Sequence, residues 1–469
     1  MDFPTGLQAS PTLTVRNPFN GELIAELAQF GPDLVRAAIT RAARYKAPLS
    51  RAERSRILGT TSNALAAQAP TFARLISSES GLGLRDTLAE VDRTVELLHL
   101  AAAEVLRDEA QCFAGDARVG GARSRTVSQR EPRLGVIAAI TPFNHPLHQV
   151  AHKAVPAIAT NNRMVLRPSS RVPLSVLRFA ALLREAGLPE PMFQVLVGDA
   201  RAIAGVLLDS PEVEMLSFTG GVEAGHELAR AAGYRRVVLE LGGNDALIVM
   251  DDACPEASAK LAAQGAYANS GQRCTAVKRI LVQRALHQVF VEALVEASRE
   301  WSHGDPFDLS NRIGCVIDAD AAGALRARVD AAAARGGRVL LGNQSHGAAY
   351  APTVVDDVRP DFDLVREETF GPVAPVITFD TVDEAIAIAN ASDYGLSSGL
   401  CTNRLDVIDR MFHSLEVGNL NVWDVPGARS ALAPFGGIKN SGLGDKEGLL
   451  ESMRACTYVK TLTLPWGKP

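Results

Sequence analysis

From about residue 134 to residue 250, short β-rich runs alternate with helical ones, and that order restricts the chain to a narrow class of folds. Runs at 136–140, 164–166, 193–197, 215–218, 237–239 and 246–250 are strand-like, with helical stretches at 175–186 and 200–208 between them. Ser175 is placed to cap the first of these helices, which Gly187 and Pro189 end. Strand–helix alternation with short turns implies a parallel sheet covered on both faces, a Rossmann-like α/β arrangement. A second alternating region, about 251–410, has the length for another α/β unit. The first hundred residues read largely as helix, with Leu34, Ala37 and Ala38 on one face. Segments 123–130 and 457–464 alternate in character and stand outside this order; isolated strands of this kind need partners.

Bulk properties narrow the function more than the fold. A chain of 469 residues is too long for one ordinary core, so two or three domains are expected. A net charge of −5 with no dense basic stripe gives no reason to expect a nucleic-acid partner. Six scattered cysteines (Cys112, Cys254, Cys274, Cys315, Cys401 and Cys456) form no CxxC pair, which argues against a disulfide framework and against structural zinc. No metal is expected. Met1-Asp2-Phe3-Pro4 lacks the basic and apolar regions of a secretion signal, and no apolar run approaches the ~18–20 residues that span a bilayer. The expected location is the cytoplasm, without a membrane partner.

Chemistry concentrates in three segments. Cys274 sits in Gly271-Gln272-Arg273-Cys274-Thr275, where small residues leave its sulfur little cover and the Arg273 cation is expected to favour thiolate, the nucleophilic form. Glu240, in Val238-Leu239-Glu240-Leu241-Gly242-Gly243, follows apolar residues whose burial raises a carboxyl pKa toward the range of a general base. Asn144, in Ile140-Thr141-Pro142-Phe143-Asn144-His145-Pro146, can donate an amide N–H to a developing oxyanion. Taken singly, each also fits a plainer role as a buried thiol, a strand-end ion pair or a turn residue. Thr219-Gly220-Gly221 follows a strand-like run and opens a helix reaching Gly225, a place where backbone N–H groups can meet a pyrophosphate. The region contains no GxGxxG.

In that order, these segments resemble the aldehyde dehydrogenase superfamily. The resemblance extends through Glu367-Glu368-Thr369-Phe370-Gly371-Pro372 and Pro434-Phe435-Gly436-Gly437-Ile438-Lys439, and runs from about residue 12 to the C-terminus. Within the superfamily, the segment from Thr141 to Pro146 with His152-Lys153, the run Asn161-Asn162-Arg163-Met164-Val165, and the stretches 271–279 and 421–429 are most similar to the phosphonoacetaldehyde dehydrogenases. The resemblance implies a cofactor domain over 1–109 and 134–246, a catalytic domain over 247–450, and a β oligomerisation flap over 110–133 and 451–469. It implies a homodimer or homotetramer.

For the chemistry, it implies that Cys274 attacks an aldehyde and that Asn144 steadies the oxyanion. NAD or NADP accepts hydride, Glu240 directs water onto the thioester, and Lys153 lies near the proton path. Relatives that pass the acyl group to coenzyme A lack the glutamate, so hydrolysis is expected. Thr141, Phe143, Arg167, Ser170, Gly220, Gly221, Gly225, Leu241, Glu368 and Phe370 are the expected cofactor contacts. Ser170 replaces the usual glutamate and Arg167 the usual lysine. A 2′-phosphate is therefore not repelled, and NAD is named only narrowly before NADP. His145 and Arg273 flank the reacting centre, and Arg93 lies on a helix that lines the substrate tunnel in this family. Three such groups suit a small anionic aldehyde, with phosphonoacetaldehyde first. Arg429 is a weaker member of this set. Succinate semialdehyde, sulfoacetaldehyde and lactaldehyde remain alternatives, and a catalytically silent protein on the same fold is a remote one.

Overall fold

The computed structural model describes residues 12–46, 48–107, 109–117, 119 and 123–465. Residues 1–4, examined above for a signal, and the terminal parts of the expected domains (1–11 and 466–469) lie outside these. Two large sheets organise the chain. Across the six-stranded sheet the order is Gly442–Gly444, Arg236–Glu240, Val213–Thr219, Val136–Ile140, Met164–Arg167 and Phe193–Val195. All neighbours are parallel except Gly442–Gly444, which runs antiparallel to Arg236–Glu240. The seven-stranded sheet runs Arg338–Leu341, Thr353–Asp356, Val373–Phe379, Val277–Gln283, Asp245–Val249, Ser397–Cys401 and Asn419–Val422. It too is parallel apart from its first strand.

The α/β architecture follows from the alternation, but one strand changes place. Residues 246–250, expected to complete the first sheet, belong as Asp245–Val249 to the centre of the second. Only four residues separate this strand from Arg236–Glu240, while a parallel neighbour requires a crossover of a dozen or more. The N-terminal region is also less helical than expected, because Thr12–Arg16 and Leu23–Ala28 form an antiparallel pair. In the helix Pro32–Arg44 the inward face is Val35, Ala38, Ile39 and Ala42, and Ala37 is exposed. Segments 123–130 and 457–464 find their partners within the chain. Ser124–Pro132 is the middle strand between Gln111–Ala114 and Thr457–Pro465.

Two helix starts use borrowed carboxylates. The helix expected over 175–186 is Leu174–Glu185, and Ser175 does not cap it. Glu79, buried at the end of Ala69–Ser80, instead accepts from Leu174 N–H (2.7 Å) and Ser175 N–H (3.0 Å), and also from the Ser175 hydroxyl. Burial pushes Glu79 up to about 7. The helix Pro146–Ala159, buried along its whole length, crosses from Val136–Ile140 to Met164–Arg167 and packs on Leu84–Glu104. Glu90 of that neighbouring helix serves its N-terminus. No helix among the described residues is long and apolar enough to cross a membrane.

Candidate active site

Asn144 and Gly220 follow the carboxyl ends of strands in the first sheet, and Glu240 closes a third strand. Cys274 leads into Val277–Gln283 at the centre of the second sheet. The part of this meeting place outside the carboxyl ends of the first sheet's parallel strands is where α/β folds hold ligands, and Cys274 meets it from the amino end of its own strand.

The turn before Cys274 has three successive residues with positive φ: Asn269 (61°), Ser270 (54°) and Gly271 (68°). Such backbone is costly for non-glycine residues and persists only when its surroundings hold it. Here reciprocal amide bonds do so. Asn144 Nδ2 donates to Gln272 O (2.9 Å) and Asn269 Nδ2 donates to Asn144 O (2.9 Å). Gln272 Oε1 in turn accepts from Ile317 N–H (2.9 Å). One Asn144 N–H is thereby used, which leaves the second to face a ligand.

Around Cys274 the expected electrostatics are reversed. Burial pushes the thiol up to about 12, against the pull of Lys278 and Arg429. The Arg273 charge reaches the sulfur but does not offset its burial. Arg273 Nη2 donates to Gly265 O (2.7 Å) and Gln264 O (3.3 Å), carbonyls in the last turn of Pro255–Tyr267. Its Nε is buried without a partner.

Glu240 is buried beside Gly436, whose φ of 152° admits only glycine and where a Cβ would collide with the carboxylate. Burial and the neighbouring Glu447 hold Glu240 well above the ordinary carboxylate range, with Arg429, Lys153 and Lys446 opposing. Lys153 is buried and donates to Glu447 Oε1 (2.9 Å) and Ser217 Oγ (3.1 Å). Burial works against a charge on Glu447 as well, but Lys153, His152 and Arg429 overcome it and keep its pKa low. Glu447, a glutamate in a glycine-bounded loop, carries no signal in the sequence. Arg429 stacks on Phe435 with its guanidinium carbon 3.5 Å from the ring centroid, and its charge acts on Cys274, Glu240 and Glu447 together.

The structure brings His145, Arg93 and Arg273 within electrostatic reach of one another, and Arg273 within reach of Cys274. His145 precedes the helix Pro146–Ala159, with Nδ1 3.9 Å from Glu90 Oε2. Arg93 is exposed on Leu84–Glu104, where its Nε makes a long hydrogen bond to Ala89 O (3.4 Å).

A cavity of about 200 Å³ reaches from Cys274 to the expected cofactor residues, and its lining includes Phe143, Gly220, Gly221, Leu241 and Phe370. Gly221 precedes Val222–Ala231 without any side-chain cap, so the first N–H groups of that helix are open to an anion. Gly225 lets Leu241 pack closely, since a Cβ there would overlap it. The hydroxyls of Thr141 and Thr219 are buried without partners. The uncapped helix start and orphaned hydroxyls fit a dinucleotide phosphate group.

Phe143 and Phe370 meet edge to face at 6.0 Å. Glu368, expected at the ribose, here accepts from Lys278 Nζ (2.6 Å) and Gly243 N–H (3.1 Å). Lys278 was missed by sequence reasoning, although its position four residues after Cys274 lets it also hold Cys274 O (2.9 Å). Arg167 Nη2 donates to Ser170 Oγ (2.9 Å) and Gly198 O (3.3 Å), while its Nε has no partner.

Comparisons with known proteins agree with this arrangement. The aldehyde dehydrogenase family model matches residues 7–462. A 3-sulfolactaldehyde dehydrogenase from Priestia aryabhattai is 35% identical over 96% of this chain and 94% of its own length. A sulfoacetaldehyde dehydrogenase from Neptuniibacter caesariensis is 36% identical over 88% of this chain and 90% of its own. Among solved structures, a glyceraldehyde-3-phosphate dehydrogenase from Methanocaldococcus jannaschii complexed with NADP superposes with a TM-score of 0.92 at 30% identity. That match covers 97% of this chain and 99% of the other.

Proposed function

The chain belongs to the aldehyde dehydrogenase family, and from that membership we propose that it oxidises a small anionic aldehyde to the carboxylate, with phosphonoacetaldehyde giving phosphonoacetate as the leading reaction. The enzyme is an NAD(P)-dependent aldehyde dehydrogenase. One observation carries the substrate class: His145, Arg93 and Arg273 lie within electrostatic reach of one another, Arg273 also of Cys274, and Arg429 adds a further cation at the sulfur. A second reading is a sulfonated aldehyde, favoured by the relatives that act on sulfolactaldehyde and sulfoacetaldehyde. Succinate semialdehyde and lactaldehyde keep the same catalytic core.

In this reading Cys274 gives its proton to Glu240, which hands it on through Glu447 and Lys153, as the sulfur bonds to the aldehyde carbon. The Cys274 backbone N–H and the free Asn144 N–H receive the oxygen as it gains charge. The bound nicotinamide supplies the hydride acceptor. Phe143 and Phe370 wall the cavity beside it, and Glu368 turns from Lys278 to the ribose. Glu240, whose raised pKa suits it to take a proton, removes one from water as that water attacks the thioester. The carbon–sulfur bond breaks and the carboxylate leaves. Lys153 and Glu447 then offer the proton a way out of the buried site. Arg167 and Ser170 accept a 2′-phosphate as readily as a bare ribose, so both NAD and NADP serve. We assign the six-stranded sheet, apart from Gly442–Gly444, to the cofactor unit (1–109 with 134–246) and the seven-stranded sheet, whose strand Asp245–Val249 spans the boundary, to the catalytic unit (247–450). The small antiparallel sheet (110–133 with 451–469) is the oligomerisation flap of a cytoplasmic homodimer or homotetramer.

Initial rates of NADH and NADPH formation with phosphonoacetaldehyde, sulfoacetaldehyde, succinate semialdehyde and lactaldehyde test the proposal on wild type, Arg93→Ala and Arg273→Ala. A phosphonate preference that falls about tenfold or more in either variant supports it. Equal rates across all four aldehydes sink the anion site and leave the dehydrogenase.

A further inference from the structure

We propose that Glu90 is a positioning residue that holds His145 in place and lets it carry a proton toward an anionic head group, an inference that rests on the substrate reading above. Glu90 is fully buried in Leu84–Glu104. Its Oε1 accepts from Leu147 N–H (2.9 Å) and His148 N–H (2.8 Å), the first free donors of the helix Pro146–Ala159. Pro146 has no N–H to offer, and His145 supplies no side-chain cap. One carboxylate oxygen therefore fixes the start of the helix that follows Asn144 and His145.

The other oxygen has a different circumstance. Glu90 Oε2 and His145 Nδ1 are both buried, neither has a hydrogen-bond partner, and they stand 3.9 Å apart. A neutral imidazole gains little from this spacing. A protonated ring needs only a small rotation to bond the carboxylate through Nδ1, which points Nε2–H the opposite way. Burial, Arg93 and Arg273 disfavour charge on His145, and Glu90 is the group that favours it. His148, four residues from its own neighbour His152, adds a further titratable ring, with His148 Nδ1 held by Thr94 Oγ1 at 3.1 Å. Asp86 lies on the same helix as Glu90 and faces Arg273, so it offsets one of the opposing cations. An anion placed among Arg93, Arg273 and His145 supplies the remaining charge, and binding and protonation of His145 then support each other.

Glu90→Gln separates this role from simple helix capping. Its Oε1 still accepts from Leu147 and His148, while its amide N–H meets His145 Nδ1 and holds the ring neutral. Full-length protein labelled with 15N at histidine is titrated with and without phosphonoacetate, the His145 signal being the one missing in His145→Gln. His145 is expected to titrate about one unit lower in Glu90→Gln than in wild type. The KM for phosphonoacetaldehyde is expected to rise about tenfold, with a smaller change in kcat and a smaller change in KM for propanal. Identical His145 titrations in the two proteins, or equal losses with both aldehydes, overturn the proposal. A wild type that fails to prefer phosphonoacetaldehyde over propanal overturns the substrate reading instead, and the histidine titration still decides Glu90. If Glu90→Gln does not fold, Glu90→Asp, which withdraws the charge from the ring, is read by the same titration and is expected to shift in the same direction.

Discussion

At the scale of the residue, the sulfur of Cys274 rests protonated in the free protein. With burial pushing its pKa up to about 12, alkylation by iodoacetamide should rise about tenfold per pH unit from 7 to 10 without a plateau. Arg429→Ala should slow it, because that guanidinium favours the thiolate, and Arg273→Ala should leave it nearly unchanged, because Arg273 is turned to a helix end. A plateau near pH 8, or a strong effect of Arg273, would contradict the geometry. Cofactor choice is also set by single side chains. Ser170→Glu places a carboxylate where Arg167 now meets a hydroxyl, and should move the NAD-to-NADP ratio of kcat/KM toward NAD by about tenfold or more. Cys274, Glu240 and Asn144 stood out as candidates because each lies in a distinctive local string. The direction of the Arg273 side chain was not, since sequence adjacency says nothing about which carbonyls a long guanidinium will reach.

Secondary elements show the same division. Strand and helix positions followed from periodicity, but the sheet to which Asp245–Val249 belongs did not, because a fully apolar strand suits the middle of either sheet. Helix starts were the other gap. Ser175 had the right chemistry for a cap, yet Glu79 from a distant helix took the N–H groups, a tertiary contact that local sequence cannot announce. That contact has a pH signature. Folded Glu79 keeps its proton up to about 7, whereas the ordinary value is 4.5, so its favourable contribution is full below 4.5 and is lost as pH rises through 7. Glu79→Ala should therefore destabilise by about 1–2 kcal/mol at pH 5 and by less at pH 8, measured by thermal or urea unfolding. An equal loss at both values would refute the linkage.

For the whole molecule, the small antiparallel sheet is the place to look for association. Val459, Leu462 and Leu464 are exposed on its edge strand Thr457–Pro465, and Phe113 on the opposite edge. A free edge with apolar side chains is a template for pairing with another chain. Leu462→Asp should shift the protein toward monomer in sedimentation or light scattering, and an unchanged mass would remove this sheet as the contact. The wider architecture also sets the order in which the site comes into being. Cys274 is made early, but the strand of Glu240 is flanked by Gly442–Gly444, and Gly436, Lys446 and Glu447 surround its carboxylate. At roughly 5–20 residues per second, a chain emerging from the ribosome carries Cys274 for about ten seconds or more before those residues exist. Burial raises the thiol only in the folded chain, so Cys274 becomes chemically quiet when the residues that bury it have been made and packed, and not before.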